Sequence, residues 1–187
     1  MREQAIRTVL CQQLQGSVRP SPVVLEELRL GRGVVRADVV AVYGHLDCYE
    51  IKSSRDTLQR LVKQGWQYGR VFDHVTLVTA VRHLDAALDL IPDWWGVMIV
   101  DETHERLTWQ RSPHANPGFS PLALAQLLER EEIQPSLLAL EDARATRLPL
   151  YRLHELLAEK LLIADLKALV RRCLLNRTSV KADPLPA

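Results

Sequence analysis

The chain has few of the residues that staple small folds. Its three cysteines, Cys11, Cys48 and Cys173, stand far apart with no CxxC spacing. That argues against a disulfide framework, a cysteine-based structural zinc and a four-cysteine iron–sulfur cluster. The six histidines include no pair at i, i+4, so each is expected at the surface or in a local hydrogen bond rather than on a metal. No apolar run reaches the length of a membrane span, and Met1-Arg2-Glu3-Gln4 does not open like a signal peptide. A cytoplasmic protein without membrane contact is expected. Internal repeats and low-complexity tracts are also missing.

What is there suits one globular domain, with or without a small appendage. The 187 residues are enough to bury a core, and 47% hydrophobic with 25% charged residues is ordinary for such a chain. The net charge of +1 hides an asymmetry. Between Arg144 and Lys181, nine Lys or Arg face three acidic residues, so the remainder of the chain is net negative. A basic C-terminal segment suits an anionic partner such as nucleic acid. On charge alone, a solvated helical surface is the favoured reading.

Taken in order, Ile6, Val9, Leu10 and Leu14 lie at helical spacing, and Pro20-Ser21-Pro22 ends that helix. Val23 to Leu30 reads as a strand interrupted by Glu26 and Glu27. Val34 to Tyr43 and Leu46 to Lys52 read as the two strands of a hairpin. A helix is expected from Ser53-Ser54-Arg55-Asp56 onward, where Ser53 and Asp56 resemble a capping box. Asp73 to Ala80 and Trp94 to Val100 read as further strands, with a helix over Arg82 to Leu90 between them. Trp94 and Trp95 are expected in the core, or as a seal against the tail. This order predicts an α/β fold, a mixed sheet flanked by helices with an all-helical C-terminal extension. The expected division is a core over residues 1–105, a linker over 106–120, a helical region over 121–177 and a flexible tail over 178–187.

Three charges sit inside strands otherwise fit for burial. Asp38 lies in a run of Val and Ala, and Glu50 and Lys52 end the next strand on one face, with Ile51 on the other. An unpaired buried charge costs several kcal/mol or neutralises itself, so these residues call for a counter-charge, and a metal site is the strongest candidate. Arg60, Gln64 and Tyr68 follow at i, i+4 steps along one helical face.

Asp38, then Glu50-x-Lys52 on the next strand, resembles the PD-(D/E)xK superfamily of restriction-endonuclease-like nucleases. Gln64-Gly65-Trp66-Gln67-Tyr68 is similar to the QxxxY motif of its RecB-like branch. Arg36-Ala37-Asp38, Tyr49-Glu50-Ile51-Lys52-Ser53, Asp56-Thr57-Leu58, Arg60-Leu61 and Pro92-x-Trp94-Trp95-Gly96 resemble most closely a family of small uncharacterised bacterial proteins of this type. Residue 37 is Ala where the superfamily motif has Pro.

The resemblance implies a restriction-endonuclease-like core and metal-dependent hydrolysis of phosphodiester bonds, in DNA. Asp38, Glu50 and the Ile51 carbonyl are then the ligands of Mg²⁺, with Mn²⁺ as a substitute. Lys52 orients or deprotonates the attacking water, and Gln64 and Tyr68 assist. A further carboxylate is expected from Glu27 or Glu3, with Glu26 on the opposite strand face. Arg60, Arg171 and Arg172 are weaker candidates for contact with nucleic acid. Two alternatives stand beside this reading: a catalytically idle nucleic-acid-binding module, and a regulatory or structural subunit. The latter would act through the helical C-terminus as a homo-oligomer or with a protein partner.

Overall fold

The computed structural model describes residues 1–17, 21–140 and 143–182. Six strands form one sheet in chain order: β1 (Val23–Leu30), β2 (Val35–Val42), β3 (Leu46–Lys52), β4 (His74–Ala80), β5 (Gly96–Asp101) and β6 (Arg106–Arg111). β1, β2 and β3 are an antiparallel meander. β3, β4 and β5 run parallel. A parallel pair needs a crossover, and α2 (Leu61–Tyr68) and α3 (Leu84–Leu88) supply the two required. β6 returns antiparallel along β5.

Side-chain alternation divides the sheet between two cores. On one face Val39, Ala41, Tyr49, Ile51, Val78 and Met98 pack under Ile6, Leu10 and Leu14 of α1 (Glu3–Ser17). On the other, Val40, Cys48, Val75, Leu77 and Val97 pack under α2. Four C-terminal helices cover that same face: α4 (Pro121–Ala125), α5 (Arg130–Ala139), α6 (Leu150–Lys160) and α7 (Ile163–Ala182). Leu124, Leu137, Leu153 and Leu169 belong to one continuous core with the strands. The helical extension therefore packs on the sheet as part of the same core.

The α/β class, the meander and the crossover after Lys52 are as the sequence predicts. Four boundaries differ. Residues 106–111, expected in a linker, form β6. Only Leu107 is buried on this edge strand, so no apolar alternation announces it. The helix expected from Ser53 begins at Leu61. Asp56 Oδ2 accepts from Ser53 N at 2.7 Å and from Ser53 Oγ at 2.6 Å, closing a turn rather than opening a helix. The helix expected over Arg82 to Leu90 is a 3₁₀ turn, Val81–His83, followed by the short α3. Finally, α7 carries regular helix to Ala182, past the expected start of a flexible tail at residue 178. Residues 183–187 and the Pro20 stop signal lie outside the described residues.

Trp95 is wholly buried and Trp94 partly so, as expected of a core pair. A Cβ on Gly65 of α2 would stand 3.1 Å from the Trp95 ring. Glycine at that position lets the helix lie directly on the tryptophan. Among the described residues, no helix is long and apolar enough to cross a membrane.

Candidate active site

The site is built where β1 and β2 exchange faces. Val35 and Ala37 pack on the α2 side, yet Val39 and Ala41 pack on the α1 side. A regular strand keeps i and i+2 on one face, so the alternation is broken around Asp38. Its neighbour across the ladder is Glu27, which lies between the paired rungs Glu26↔Val39 and Leu28↔Ala37 and has φ 59. Positive φ is rare for a residue with a side chain and costs on the order of 1–3 kcal/mol. The kink takes two adjacent carboxylates out of both cores and sets them at the mouth of a cleft. It also undoes the alternation that would have set Glu26 on the opposite face, since Arg7 reaches Glu26 and Glu27 together.

β2 and β3 part at the same level. Their ladder runs from Val42↔Leu46 to Val39↔Tyr49 and stops. The next β3 amide facing β2, that of Ile51, donates to Asp38 Oδ2 at 2.8 Å. The two residues of an antiparallel hydrogen-bonded pair exchange both N–H and C=O, so the Ile51 carbonyl shares this edge of the strand. Burial first, and the charge of Glu50 second, push the Asp38 carboxyl up from its ordinary 3.8 to about 7.

Glu50 has 0% exposure and Lys52 only 6%. Lys52 Nζ donates to Glu50 Oε1 at 2.5 Å and to Gln64 Oε1 at 3.3 Å. Gln64 Nε2 donates to Glu50 Oε1 at 2.7 Å, and Tyr68 OH to Oε2 at 2.5 Å. Burial together with the neighbouring anionic groups holds the Tyr68 phenol well above its ordinary value, so it remains a donor at neutral pH. Both Glu50 oxygens are thus engaged, and α2 serves to orient the Glu50–Lys52 pair.

Three carboxylates form a second group. Oxygens of Glu3, Glu27 and Asp38 lie within 4.8 Å of one another. The Arg7 guanidinium, also buried, stands beside them. It is 2.7 Å from Glu3, 2.7 Å from Glu27 and 3.1 Å from Glu26, and it reaches the Asp38 carbonyl at 3.4 Å. A set of carboxylate oxygens with a backbone carbonyl is the chemistry a hard divalent cation takes. Asp38, Glu27 and Glu3 carry oxygens of that kind, and both Glu27 oxygens are already paired, Oε1 with Arg7 and Oε2 with Arg36. Glu50, expected as a direct ligand, has its oxygens turned to Lys52, Gln64 and Tyr68.

Both groups line one cleft of about 710 Å³, whose wall also carries Arg29, Arg32, Arg36, Arg60 and Lys63. Arg60, expected as a nucleic-acid contact, belongs to it. Arg171 does not. It stands 4.0 Å from Asp73, whose carboxylate accepts from the Leu46 amide. That is the other end of β3, about 20 Å from Lys52 at ~3.3 Å per residue. Lys167 pairs with Asp73 at 2.8 Å and Arg177 with Glu132 at 2.7 Å, so much of the C-terminal positive charge is answered within the fold. Arg172 follows Arg171 on α7 and is exposed; the cleft wall does not include it. Arg7 had only one sequence signal, its i, i+4 spacing from Glu3, which reads equally as an ordinary helical ion pair.

Fold and site define an α/β protein with a mixed sheet and a carboxylate–lysine cleft at the fork between its second and third strands. The chain belongs to the bacteriophage P4 protein cII family, whose model matches residues 1–185. Among solved structures it is similar to the SPO1766 protein of unknown function from Silicibacter pomeroyi. The two are 21% identical, the match covers 76% of this chain and 92% of that one, and the TM-score is 0.50. At that identity the likeness concerns the fold alone. No curated protein matches.

Proposed function

We propose that the protein is a metal-dependent nuclease of the PD-(D/E)xK type, hydrolysing phosphodiester bonds in DNA. The observation that carries this reading is the joint placement of Lys52, Asp38, Glu27 and Glu3 in one cleft whose wall bears five further cations. A polyanionic backbone fits that wall, and the carboxylates beneath it suit an ion rather than the phosphate itself.

Asp38, Glu27, Glu3 and the Ile51 carbonyl would hold Mg²⁺, or Mn²⁺ in its place. Such an ion, when bound, polarises a phosphoryl oxygen and lowers the pKa of a bound water. The chain's own residues do the rest. Arg29, Arg32, Arg60 and Lys63 seat the backbone on either side of the scissile bond, while Arg36 is paired with Glu27. The Lys52 ammonium, held by Glu50 and Gln64, presents a fixed charge to the phosphorane-like transition state, with little reorganisation needed. Tyr68 and Glu50 are positioning residues, since Tyr68 is wholly buried and acts through Glu50. The test is cleavage of single- and double-stranded DNA with Mg²⁺ or Mn²⁺ by the parent, Lys52→Ala and Glu50→Ala. Metal-dependent cleavage lost in both variants supports the reading. A parent that neither cuts DNA nor binds Mn²⁺ overturns it.

A second reading, a nucleic-acid-binding module without catalysis, draws on Arg7. Its guanidinium already supplies a cation to Glu3, Glu26 and Glu27, so the acidic group is partly neutralised without an ion. That reading expects salt-dependent DNA binding that survives Lys52→Ala, with no cleavage by the parent.

A further inference from the structure

At the end of β3 remote from Lys52, the structure assembles a second group of ligand type. His45 lies in the turn between β2 and β3, Asp47 follows on β3, and His74 opens β4. The parallel register sets Asp47 directly beside His74. One ligand atom from each of the three lies within 4.8 Å of the others. The two histidines stand 29 positions apart, so no local spacing in the sequence announces the group.

The arrangement is pre-set in ways a chance cluster is not. The Asp47 carboxylate has 6% exposure. Its Oδ2 accepts from Tyr43 OH, and its Oδ1 faces His74 Nδ1 at 2.8 Å. The Tyr43 hydrogen bond thus fixes which oxygen is turned to His74, as the outer partners of metal ligands do. Burial and the Asp47 carboxylate hold the Tyr43 phenol above its ordinary value, so it stays a donor. Tyr43 also meets the His45 ring edge-on, with centroids 5.5 Å apart. The two imidazoles stand 5.1 Å apart, centroid to centroid, at 81°. Two imidazoles bound to one tetrahedral ion at ~2.0–2.1 Å per nitrogen place their centroids about 5 Å apart. Asp73, the residue before His74, is engaged by Lys167 at 2.8 Å and lies outside the set.

We propose that His45, Asp47 and His74 bind one divalent transition-metal ion of the zinc class, in a site separate from the cleft. Two imidazoles and one carboxylate select Zn²⁺, Co²⁺ or Ni²⁺ over Mg²⁺. Three protein ligands leave a position for water. The ion ties the β2–β3 turn to the first residue of β4, five residues along β3 from Lys52, and Tyr43 orients the carboxylate.

The proposal is tested on the full chain by calorimetric titration with Zn²⁺ and by the visible absorption of Co²⁺. With the cleft's carboxylate group disabled by Asp38→Asn, one equivalent is expected, with ligand-field bands of a low-coordinate nitrogen–oxygen site. Saturation with Zn²⁺ is expected to raise Tm by about 5 °C, as binding to the folded state alone requires. His45 is exposed on a turn, so His45→Ala will fold. It should weaken Zn²⁺ at least tenfold, and Tyr43→Phe about tenfold through loss of orientation. Asp38→Asn and Lys52→Ala should leave Zn²⁺ affinity unchanged, which keeps this outcome apart from that of the nuclease reading. Zn²⁺ affinity equal in parent and His45→Ala, or Co²⁺ without ligand-field absorption, overturns it.

Discussion

Asp38 accepts the amide of Ile51 where β2 and β3 part, replacing with a carboxylate the backbone rung that a continuous ladder would have placed there. One side chain thereby ends the pairing, opens the cleft and furnishes a charge at its floor. Asp38→Asn keeps the acceptor and removes the charge. Cleavage should fall below detection, while circular dichroism stays that of the parent.

The same carboxyl makes stability depend on pH in a direction opposite to the usual acid case. Its folded value is raised to about 7 from 3.8. Its contribution is therefore fully present below about 3.8 and lost as pH rises through about 7. In the absence of divalent ions, the parent should lose Tm between pH 5 and pH 7 relative to Asp38→Asn, and lose no more above that. Scanning fluorimetry at the two values checks this, and parallel curves would show that Asp38 does not titrate there.

An ion in the cleft competes with the Asp38 proton. Mn²⁺ affinity should therefore fall about tenfold per pH unit below pH 7 and level off above it, with about one proton released per ion bound. Calorimetry in two buffers of different ionisation enthalpy reads both quantities.

Tyr68→Phe removes the donor to Glu50 Oε2 and leaves a buried carboxylate oxygen short of a partner. The expected loss is about 1–3 kcal/mol in urea unfolding. Turnover should fall without change in substrate affinity, because Tyr68 acts on the orientation of Glu50 and Lys52.

The cleft wall and α7 carry similar charge in different places, and salt dependence separates them. Arg60→Ala and Lys63→Ala should each reduce the slope of log affinity against log salt by about one. Arg171→Ala and Arg172→Ala should leave the slope unchanged, since neither residue lines the cleft. Filter binding across a salt series distinguishes the two pairs.

Much of the site is legible in the sequence because charge inside apolar strands is conspicuous. Asp38, Glu50 and Lys52 stand out among Val, Ala and Ile, and Gln64 and Tyr68 fall one helical turn apart on the next helix. The division of labour among them is not legible. Whether Glu50 faces an ion or Tyr68 depends on how α2 lies across the sheet, and Gly65 against Trp95 sets that packing. Glu27 and Glu26 are misread by strict alternation, because nothing in Leu25-Glu26-Glu27-Leu28 announces φ 59 at Glu27. Arg7 looks like an ordinary helical ion pair until the fold brings β1 beneath it. β6 escapes notice because an edge strand with one buried side chain carries almost no periodic signal.

The face exchange at Glu27 and Asp38 has a consequence for how this chain tolerates changes in length. Both strands switch sides at the same rung, so their registers on either side of it are mutually dependent. Deleting one residue from β1 between Leu25 and Leu28 would turn Leu28 and Leu30 away from the core unless β2 lost a residue as well. Insertions and deletions in this hairpin should therefore be accepted in pairs, one per strand, and rejected singly. The hinge that seats the acids thus makes their two strands heritable as one unit.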